Sequence, residues 1–264
     1  LVATSQETKA SILVPKEAIT GLVQLYGTTE KIPLQIVPKI SGAKGSLIAG
    51  SRLDITGSGF VAGETEILLG NITIPASSIT VEDSTRLNLV FPDSPDASLR
   101  VKTSGGISNN VLLPRAGGIG SVADLGLPAD PATPSANVGQ VISIIGQNLN
   151  TQIHVEFSGI DDEGVPIMIK QRVLNVSPDG RFLTVLVPDG AATGIARLVF
   201  TQTSGDLIIS THPLQIVPYL SEFNFLLGDP ISTAIGSGFI EGGTTVVTQE
   251  SRVQPENISN SGSL

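Results

Sequence analysis

One short stretch decides how this chain folds: Leu53-Asp54-Ile55-Thr56-Gly57-Ser58-Gly59-Phe60. Apolar and polar residues alternate over its first half, which is the period-2 pattern of a half-buried β-strand. The Gly-Ser-Gly that follows indicates a tight turn, because glycine reaches backbone conformations that other residues avoid. Phe60 then brings a large apolar side chain to the core. The stretch therefore predicts a strand, a turn and a core anchor.

The end of this stretch returns twice along the chain. Gly236-Ser237-Gly238-Phe239 repeats it, and the related Gly146-Gln147-Asn148-Leu149 lies between, at offsets of 89 and 90 residues. A second element, Pro33–Pro38, recurs unchanged as Pro213–Pro218, which is two such periods later. Self-similarity at a fixed period indicates that one structural unit is repeated.

A third element supports the same period from other residues. Ile12–Gly21 matches Val185–Gly194, and an abbreviated copy, Leu89–Asp93, lies between them. Three independent matches at consistent spacing are hard to obtain by chance. The chain therefore contains an internal repeat.

The composition favours strands over helices throughout. The chain of 264 residues has 29 Gly, 17 Pro and no Trp, with many Val, Ile, Leu and Thr. Short apolar runs separated by Gly and Pro are typical of strands joined by turns, and about 90 residues suffice for one antiparallel sandwich. The expected strands include Leu53–Thr56, Glu66–Leu69, Leu87–Phe91, Leu99–Thr103, Val141–Ile145, His154–Phe157, Leu183–Val187 and Ile195–Phe200, with Phe60, Phe91, Phe157 and Phe239 as core anchors.

These elements together point to a known family. Val37-Pro38-Lys39-Ile40 followed by Gly50–Phe60 resembles the opening of the IPT/TIG family of immunoglobulin-like domains. Val187–Gly194 followed by Thr203-Ser204-Gly205 is similar to the second half of the same family's domain. The resemblance implies an all-β fold of tandem immunoglobulin-like antiparallel β-sandwiches, two of them complete and one half at each end. It carries no catalytic residues, because the family shares none.

The repeat and the resemblance divide the chain into four segments. Residues 1–37 correspond to the C-terminal half of a sandwich, and residues 218–264 to the N-terminal half of one. Complete sandwiches are expected over residues 38–115 and 116–217. The second departs from the pattern in Gly146–Leu149, in a Pro-rich entry and in a longer hairpin near residues 161–170, which affects strand limits rather than the fold.

The two half-sandwiches allow two interpretations. In the first, the chain is a window of a longer tandem array. In the second, the half at the tail of one copy is completed by the half at the head of the next. Half a sandwich exposes an unpaired strand edge and an apolar face, which favours pairing with another strand. A head-to-tail contact that does not close into a ring produces a filament.

Composition excludes several classes of function. The formal net charge is −9 and the basic residues are scattered, whereas phosphate backbones need clustered cations, so no nucleic-acid partner is expected. The absence of Cys excludes disulfides and thiolate-bound metals. The apolar runs are too short for a membrane span. The chain opens with Leu, which suggests a processed or excerpted sequence; the resemblance places it outside the cell or at the cell surface.

The candidates for chemistry are few. His154 alternates within a predicted strand, where a solvent-facing position is expected, and His212 is expected in a loop. No nucleophile elbow, phosphate loop or zinc-binding His-Glu-x-x-His motif is present in the sequence. We therefore expect a protein that is not an enzyme and that needs no cofactor.

One acidic cluster and three sequons complete the candidate sites. Asp161, Asp162 and Glu163 are weak candidates for calcium ligands, since oxygen-rich tips can hold this ion. Their spacing lacks the alternating Asp and the distal Glu of a dedicated loop, so a solvated hairpin tip is the favoured interpretation. Asn-x-Ser/Thr sequons, which matter only on a glycosylating route, occur at Asn71, Asn175 and Asn257.

Three functions remain open at this stage. The first is a non-enzymatic extracellular structural repeat protein, an elongated array or a head-to-tail filament subunit whose partners are other copies of itself or adjacent repeats. The second is an adhesin or receptor-like module that recognises a protein or glycan through sandwich loops. The third is an accessory region of a surface enzyme. Fold alone does not decide among them.

Overall fold

The structure is a computed structural model, and it describes residues 11–96, 98–161, 164–224, 233–239, 246–247 and 252–253. In these residues every regular element is a β-strand, apart from one 3-10 turn at Ala76–Ser78. The chain is therefore all-β, as expected. It begins with an isolated antiparallel hairpin made of β1 (Gly21–Gln24) and β2 (Lys31–Leu34).

The next nine strands build a complete sandwich. They are β3 (Lys39–Ser46), β4 (Arg52–Ser58), β5 (Glu66–Leu69), β6 (Ile72–Ile74), β7 (Ile79–Asp83), β8 (Arg86–Val90), β9 (Ser98–Thr103), β10 (Gly106–Ile107) and β11 (Val111–Leu112). One sheet has the order β3-β4-β8-β7 and the other β10-β9-β5-β6, with β11 also on β9. This is the immunoglobulin arrangement, in which strands A, B, E and D form one sheet, here β3, β4, β8 and β7, and the remaining strands form the other.

A second complete sandwich follows. Its strands are β12 (Arg115–Ile119), β13 (Ser135–Ala136), β14 (Val141–Gln147), β15 (Ile153–Ile160), β16 (Pro166–Val176), β17 (Phe182–Leu186), β18 (Ala191–Gln202) and β19 (Gly205–Ile216). One sheet runs β12-β14-β17-β16 and the other β16-β15-β18-β19. The long strand β16 belongs to both, because its first part pairs with β15 and its last part with β17. β13 joins β19 in parallel.

The last described strands form two small antiparallel pairs. β20 (Tyr219–Asn224) pairs with β21 (Thr233–Ser237), and β22 (Val246–Val247) pairs with β23 (Arg252–Val253). β20 and β21 repeat β3 and β4, including a bulge after the second residue of the leading strand. The C-terminal segment therefore contains the opening strands of a further sandwich.

The predicted strands and core are confirmed in both complete sandwiches. Each of the eight predicted strands coincides with or overlaps an observed one, and alternate residues along them are buried. Phe60, Phe91 and Phe157 are among the largest fully buried side chains. Phe239, the counterpart of Phe60, is only half-buried.

The repeated glycine motif has one physical role in all its copies. A Cβ on Gly57 would clash with the carbonyl oxygen of Lys39, and one on Gly236 would clash with that of Tyr219. The third motif position is left-handed, with φ of 76° at Gly59 and 53° at Asn148. Asn tolerates this region better than most residues. The departure at Gly146–Leu149 therefore keeps the backbone of the motif.

The two complete sandwiches are joined by hydrogen bonds that sequence reasoning did not foresee. The start of β19 pairs in parallel with the end of β3, and the Leu47 amide donates to the Ile208 carbonyl at 2.8 Å. The Gln202 side-chain amide and the Ser204 hydroxyl both donate to the Ala43 carbonyl, at 3.1 and 3.2 Å. The last hairpin of the second sandwich thus extends onto the first.

Candidate functional site

His154 does not face solvent, which corrects the expectation from the sequence. It is 4% exposed, on the central strand β15 between β16 and β18. Its Nε2 lies 3.3 Å from a Glu156 oxygen, and its Nδ1 lies 3.3 Å from the Thr201 hydroxyl. Glu156 in turn accepts from Arg197 Nε at 2.7 Å.

The Thr201 hydroxyl, the His154 imidazole and the Glu156 carboxylate follow one another in the order of a catalytic triad. Their burial and contacts nevertheless indicate a structural role. A catalytic imidazole must reach the substrate proton that it moves. The His154 ring is buried, and its carboxylate partner is already held by a guanidinium. The network links β15 to β18 across their outer face.

His212 lies in strand β19, so the expectation of a loop was wrong. The loop was inferred from the proline that follows, yet β19 continues through Pro213 to Ile216. The Nε2 of His212 is buried and has no hydrogen-bond partner among the described residues. Burial lowers the pKa of His212 below its ordinary value. The side chain is therefore held in its neutral form.

Asp161, the first residue of the acidic cluster, lies between β15 and β16. The Asp161 carboxylate accepts from the Val165 amide at 2.7 Å, and the Asp161 carbonyl accepts from the Gly164 amide at 3.0 Å. Asp162 and Glu163 lie outside the described residues. Among the residues that are described, no three His, Asp or Glu side chains gather to hold a metal ion. The calcium site stays a prediction.

Two of the three sequons are on exposed strands and turns. Asn71 lies in the turn between β5 and β6, and its backbone amide donates to the Asp96 carboxylate at 3.2 Å. Asn175 is exposed on β16, where its side chain accepts from the Val176 amide at 2.9 Å. Asn257 lies outside the described residues. Accessibility alone permits glycosylation but does not indicate it.

The surface that stands out is the apolar face of the N-terminal segment. Val14 is 50% exposed, whereas its repeat counterpart Val187 is fully buried. Leu34 is 38% exposed, whereas its counterpart Leu214 is 3% exposed. Ile12 and Val23 are exposed as well, whereas their counterparts Val185 and Ala196 are fully buried. Residues 11–37 therefore carry the inner face of a sandwich, and this face is exposed to solvent in a single copy.

The segment nevertheless keeps the local structure of a complete repeat. The Ile36 amide donates to the Thr20 hydroxyl at 2.9 Å. The counterparts two periods later do the same, since the Ile216 amide donates to the Thr193 hydroxyl at 2.9 Å. Because a bond between the same two positions forms in both places, the half-sandwich already holds the backbone of the complete one.

The C-terminal segment exposes the complementary half. Leu220 on β20 is 55% exposed, whereas its counterpart Ile40 is 3% exposed. Phe223, also on β20, is exposed, whereas its counterpart Ala43 is buried. Part of an inner face of the other sheet is thus exposed at this end, although Ala234, the counterpart of Ile55, is buried.

The described residues of these two segments include fewer paired strands than a complete sandwich does. β4 is flanked by β3 and β8, whereas β21 pairs with β20 alone among the described residues. Ile12 to Val14 match β17, which is flanked by β14 and β16, yet residues 11–15 form no strand. A strand needs a neighbour to satisfy its backbone groups. Residues 12–14 correspond to β17 of the second sandwich, and β21 corresponds to β14, which pairs with β17 there.

No protein-family model matches the chain, and no curated protein matches its sequence. Among solved structures, it is similar to SGBP-B from a xyloglucan utilization locus of Bacteroides uniformis, with 15% identity, 71% of this chain and 54% of that chain covered, and a TM-score of 0.26. A tetra-tandem repeat from the extending region of a large adhesion protein has 11% identity, 86% and 64% coverage and a TM-score of 0.24.

A third similar structure is the FN1–FN3 region of chicken CNTN1, with 11% identity, 83% of this chain and 86% of that chain covered, and a TM-score of 0.20. The chain spans about half the length of SGBP-B and less than two thirds of the adhesion repeat structure. TM-scores this low transfer no function to this chain. Within its described residues there is no helix with the length and hydropathy to cross a bilayer.

Proposed function

We propose that this chain is a non-enzymatic extracellular structural repeat protein whose half-sandwiches, residues 1–37 of one copy and 218–264 of another, complete each other. The observation that supports the proposal is the exposed apolar face of residues 11–37, whose counterparts form a sandwich core. Two complete sandwiches over residues 38–115 and 116–217 act as a spacer between these faces. The resemblance to IPT/TIG domains supports the extracellular location.

The energetic case rests on buried apolar area. Burying a Val or Leu side chain stabilises by about 1.5–3 kcal/mol. Four exposed residues in the N-terminal segment have buried counterparts, namely Ile12, Val14, Val23 and Leu34, and together they offer on the order of 10 kcal/mol before association costs, which run to about 4–15 kcal/mol. Hydrogen bonds along the new strand edges add to this. Burial of this face therefore supplies free energy of the same order as the cost of association.

Completion between copies is favoured over completion within one. The two segments are separated by two complete sandwiches that are joined in series through β3 and β19. That parallel joint holds the ends of the spacer apart. The contact between copies is head to tail, so repeated addition builds a filament.

The repeat predicts which residues pair in the completed sandwich. Asp54 pairs with Asn88 in the first sandwich, and Ser143 pairs with Thr184 in the second. The positions that correspond in the open segments are Thr233 and Ser11. Directly opposed residues of antiparallel strands have Cα atoms about 4.5–5.5 Å apart, which suits a disulfide.

Disulfide trapping tests the proposal without interference from native thiols, because the chain has no Cys. S11C/T233C is oxidised at rising protein concentration and run on a denaturing gel. Completion between copies gives a ladder of linked chains that reduction removes. The matched positive control is S143C/T184C, which forms a bridge within one chain, and the negative control is S11C/S221C.

Two results would overturn the proposal. A monomer with an internal S11C–T233C bridge would mean that the chain closes on itself. Unlinked monomers at all concentrations, with S143C/T184C fully bridged, would mean that these segments belong to a tandem array and meet other repeats. Mass photometry on the unmodified chain gives the same answer independently, since completion requires mass to grow with concentration.

A further inference from the structure

We infer a second contact between copies, which rests on the proposed completion: the turn at Tyr26 of one copy packs on Leu125 and Leu127 of the copy before it. Tyr26 is fully exposed in a single copy. Leu125 and Leu127 lie in the segment between β12 and β13, and Leu127 is 90% exposed. Neither feature is needed to complete the sandwich core.

The joint between residues 11–37 and the first complete sandwich shows where the last hairpin of a sandwich lies. In the first sandwich this hairpin is formed by β9 and β10. A Cβ on Gly105, at its turn, would overlap the Ile36 carbonyl and the Thr20 hydroxyl, and one on Gly106 would lie 3.6 Å from Val37. The turn therefore sits on the end of the preceding repeat.

The joint between the two complete sandwiches repeats this placement. The hairpin of β18 and β19 extends further, and Gln202 and Ser204 donate to the carbonyl of Ala43 in the first sandwich. In both described joints, then, the last hairpin of a sandwich reaches back onto the sandwich before it. The direction follows from the fold, because this turn lies at the end where the chain enters the domain.

The same rule places the hairpin of β1 and β2 in the completed sandwich. This hairpin corresponds to β18 and β19, and Tyr26 lies in its turn. In a head-to-tail pair, the sandwich before it is the second sandwich of the other copy. The turn is thereby brought to the joint at Val217–Pro218.

The leucines are held at that joint. A Cβ on Gly126, between them, would lie 2.9 Å from Val217 Cγ1. The Leu125 amide donates to the Asn137 side chain at 2.8 Å, and Asn137 Nδ2 donates to the carbonyls of Leu125 and Val217 at 2.9 and 2.8 Å. Asn137 is itself buried. An ordered backbone thus presents two apolar side chains to solvent beside the linker.

An aromatic ring and two leucines form a suitable pair of surfaces. Tyr buries its ring against apolar side chains and keeps its hydroxyl at the wet rim, which is why it is common at interfaces. The occupant is a second copy of this chain, because the hairpin that reaches this joint comes with the strands that complete the sandwich.

Tyrosine fluorescence provides the test. The chain has two Tyr and no Trp, so Y219F leaves Tyr26 as the sole emitter. Acrylamide quenching is compared between reduced monomers and disulfide-linked chains of S11C/T233C/Y219F. We expect the quenching constant to fall at least threefold on linkage, and to be restored by L125S/L127S. L174S is the matched control, because Leu174 is exposed on β16 and far along the chain from the joint.

A second measurement does not depend on Y219F. Y26S and L125S/L127S are each expected to raise the concentration for half-assembly about tenfold, and their combination to raise it by much less than a hundredfold. Linked chains in which Tyr26 is quenched as in the monomer, with unchanged half-assembly in both variants, would overturn this contact and leave completion standing. Failure of S11C/T233C to link at all would overturn completion, and this contact with it.

Discussion

The guanidinium carbon of Arg115 lies 5.4 Å from the centre of the Phe91 ring, so the first residue of β12 stands over a core aromatic of the preceding sandwich. The same guanidinium donates to the Leu47 carbonyl at 3.0 Å and to the Ser94 carbonyl. Burial lowers the pKa of Arg115, yet a guanidinium stays protonated in proteins. One side chain therefore ties the two sandwiches together by hydrogen bonds and a cation–π contact.

Replacement of this residue should weaken the joint. R115M removes two donors from partly buried carbonyls, and we expect it to lower the free energy of unfolding by about 2 kcal/mol. Urea denaturation measures the change. The control is R181M, because Arg181 is exposed on the same sandwich and such substitutions change stability by about 0.5 kcal/mol or less. Equal stability of the two variants would show that Arg115 does not couple the sandwiches.

Asn148 should tolerate glycine and reject β-branched residues. Its φ of 53° matches a motif position that is glycine in the other copies, and its side chain donates to Leu113 at 3.3 Å. We expect N148G to cost less than about 1 kcal/mol, through the lost hydrogen bond. N148V should cost about 2 kcal/mol more, because a β-branched side chain is strained in the left-handed region. Similar urea midpoints for the two variants would contradict this assignment.

His212 should make the second sandwich sensitive to acid. Its ordinary pKa is 6.5, and burial lowers it in the folded state, so the unfolded chain binds the proton more tightly. Its contribution is therefore most favourable above pH 6.5 and is lost as the pH falls through the lowered folded-state pKa. H212I, which introduces the residue found at the counterpart Ile32, should raise the urea midpoint more at pH 5 than at pH 7.5. An equal gain at both pH values would exclude titration of His212 as the cause.

The first glycine of the motif should be intolerant of any side chain. A Cβ on Gly57 would clash with the Lys39 backbone and the Phe60 ring, so we expect G57A to cost at least about 3 kcal/mol, as strained core substitutions do. G118A is the matched control, since a Cβ there meets nothing within 4 Å. Thermal unfolding that starts at the same temperature in both variants would contradict the clash.

Much of the fold could be predicted from local patterns. Leu53 and Ile55 are fully buried as their alternation predicts, and the chain leaves β4 at Gly59, whose φ of 76° is left-handed, whereas Gly57 still belongs to the strand. The prediction failed where a residue's environment came from elsewhere in the chain. His154 follows the alternation of its strand, but its outward side chain is buried and lies 3.3 Å from both Glu156 and Thr201, of which Thr201 comes from another strand. His212 was placed in a loop because local rules treat a proline as a break. Pro213 is tolerated within β19 because it lies between the part of the strand that pairs with β3 and the part that pairs with β13.

The candidate site was predicted in outline but not in its contacts. The incomplete repeats were visible as sequence matches, so an open apolar face over residues 11–37 was an expectation of the repeat itself. The structure identifies Val14 and Leu34 as exposed residues of that face. No sequence pattern singled out Leu125 and Leu127 as a contact surface, because two exposed apolar residues in a Pro-rich segment match no motif.

The sequence by itself determined the repeat, the strands and the inward residues of each sandwich, because strand alternation and glycine turns are local properties of the backbone. Only the tertiary structure decided how the sandwiches meet. The contacts of Arg115 with Leu47 and of Ser204 with Ala43 join residues 68 and 161 positions apart. Neither pair lies at a repeat spacing or forms a pattern along the chain. Such contacts depend on the orientation of whole domains, which is set by packing at the joint and not by any segment alone.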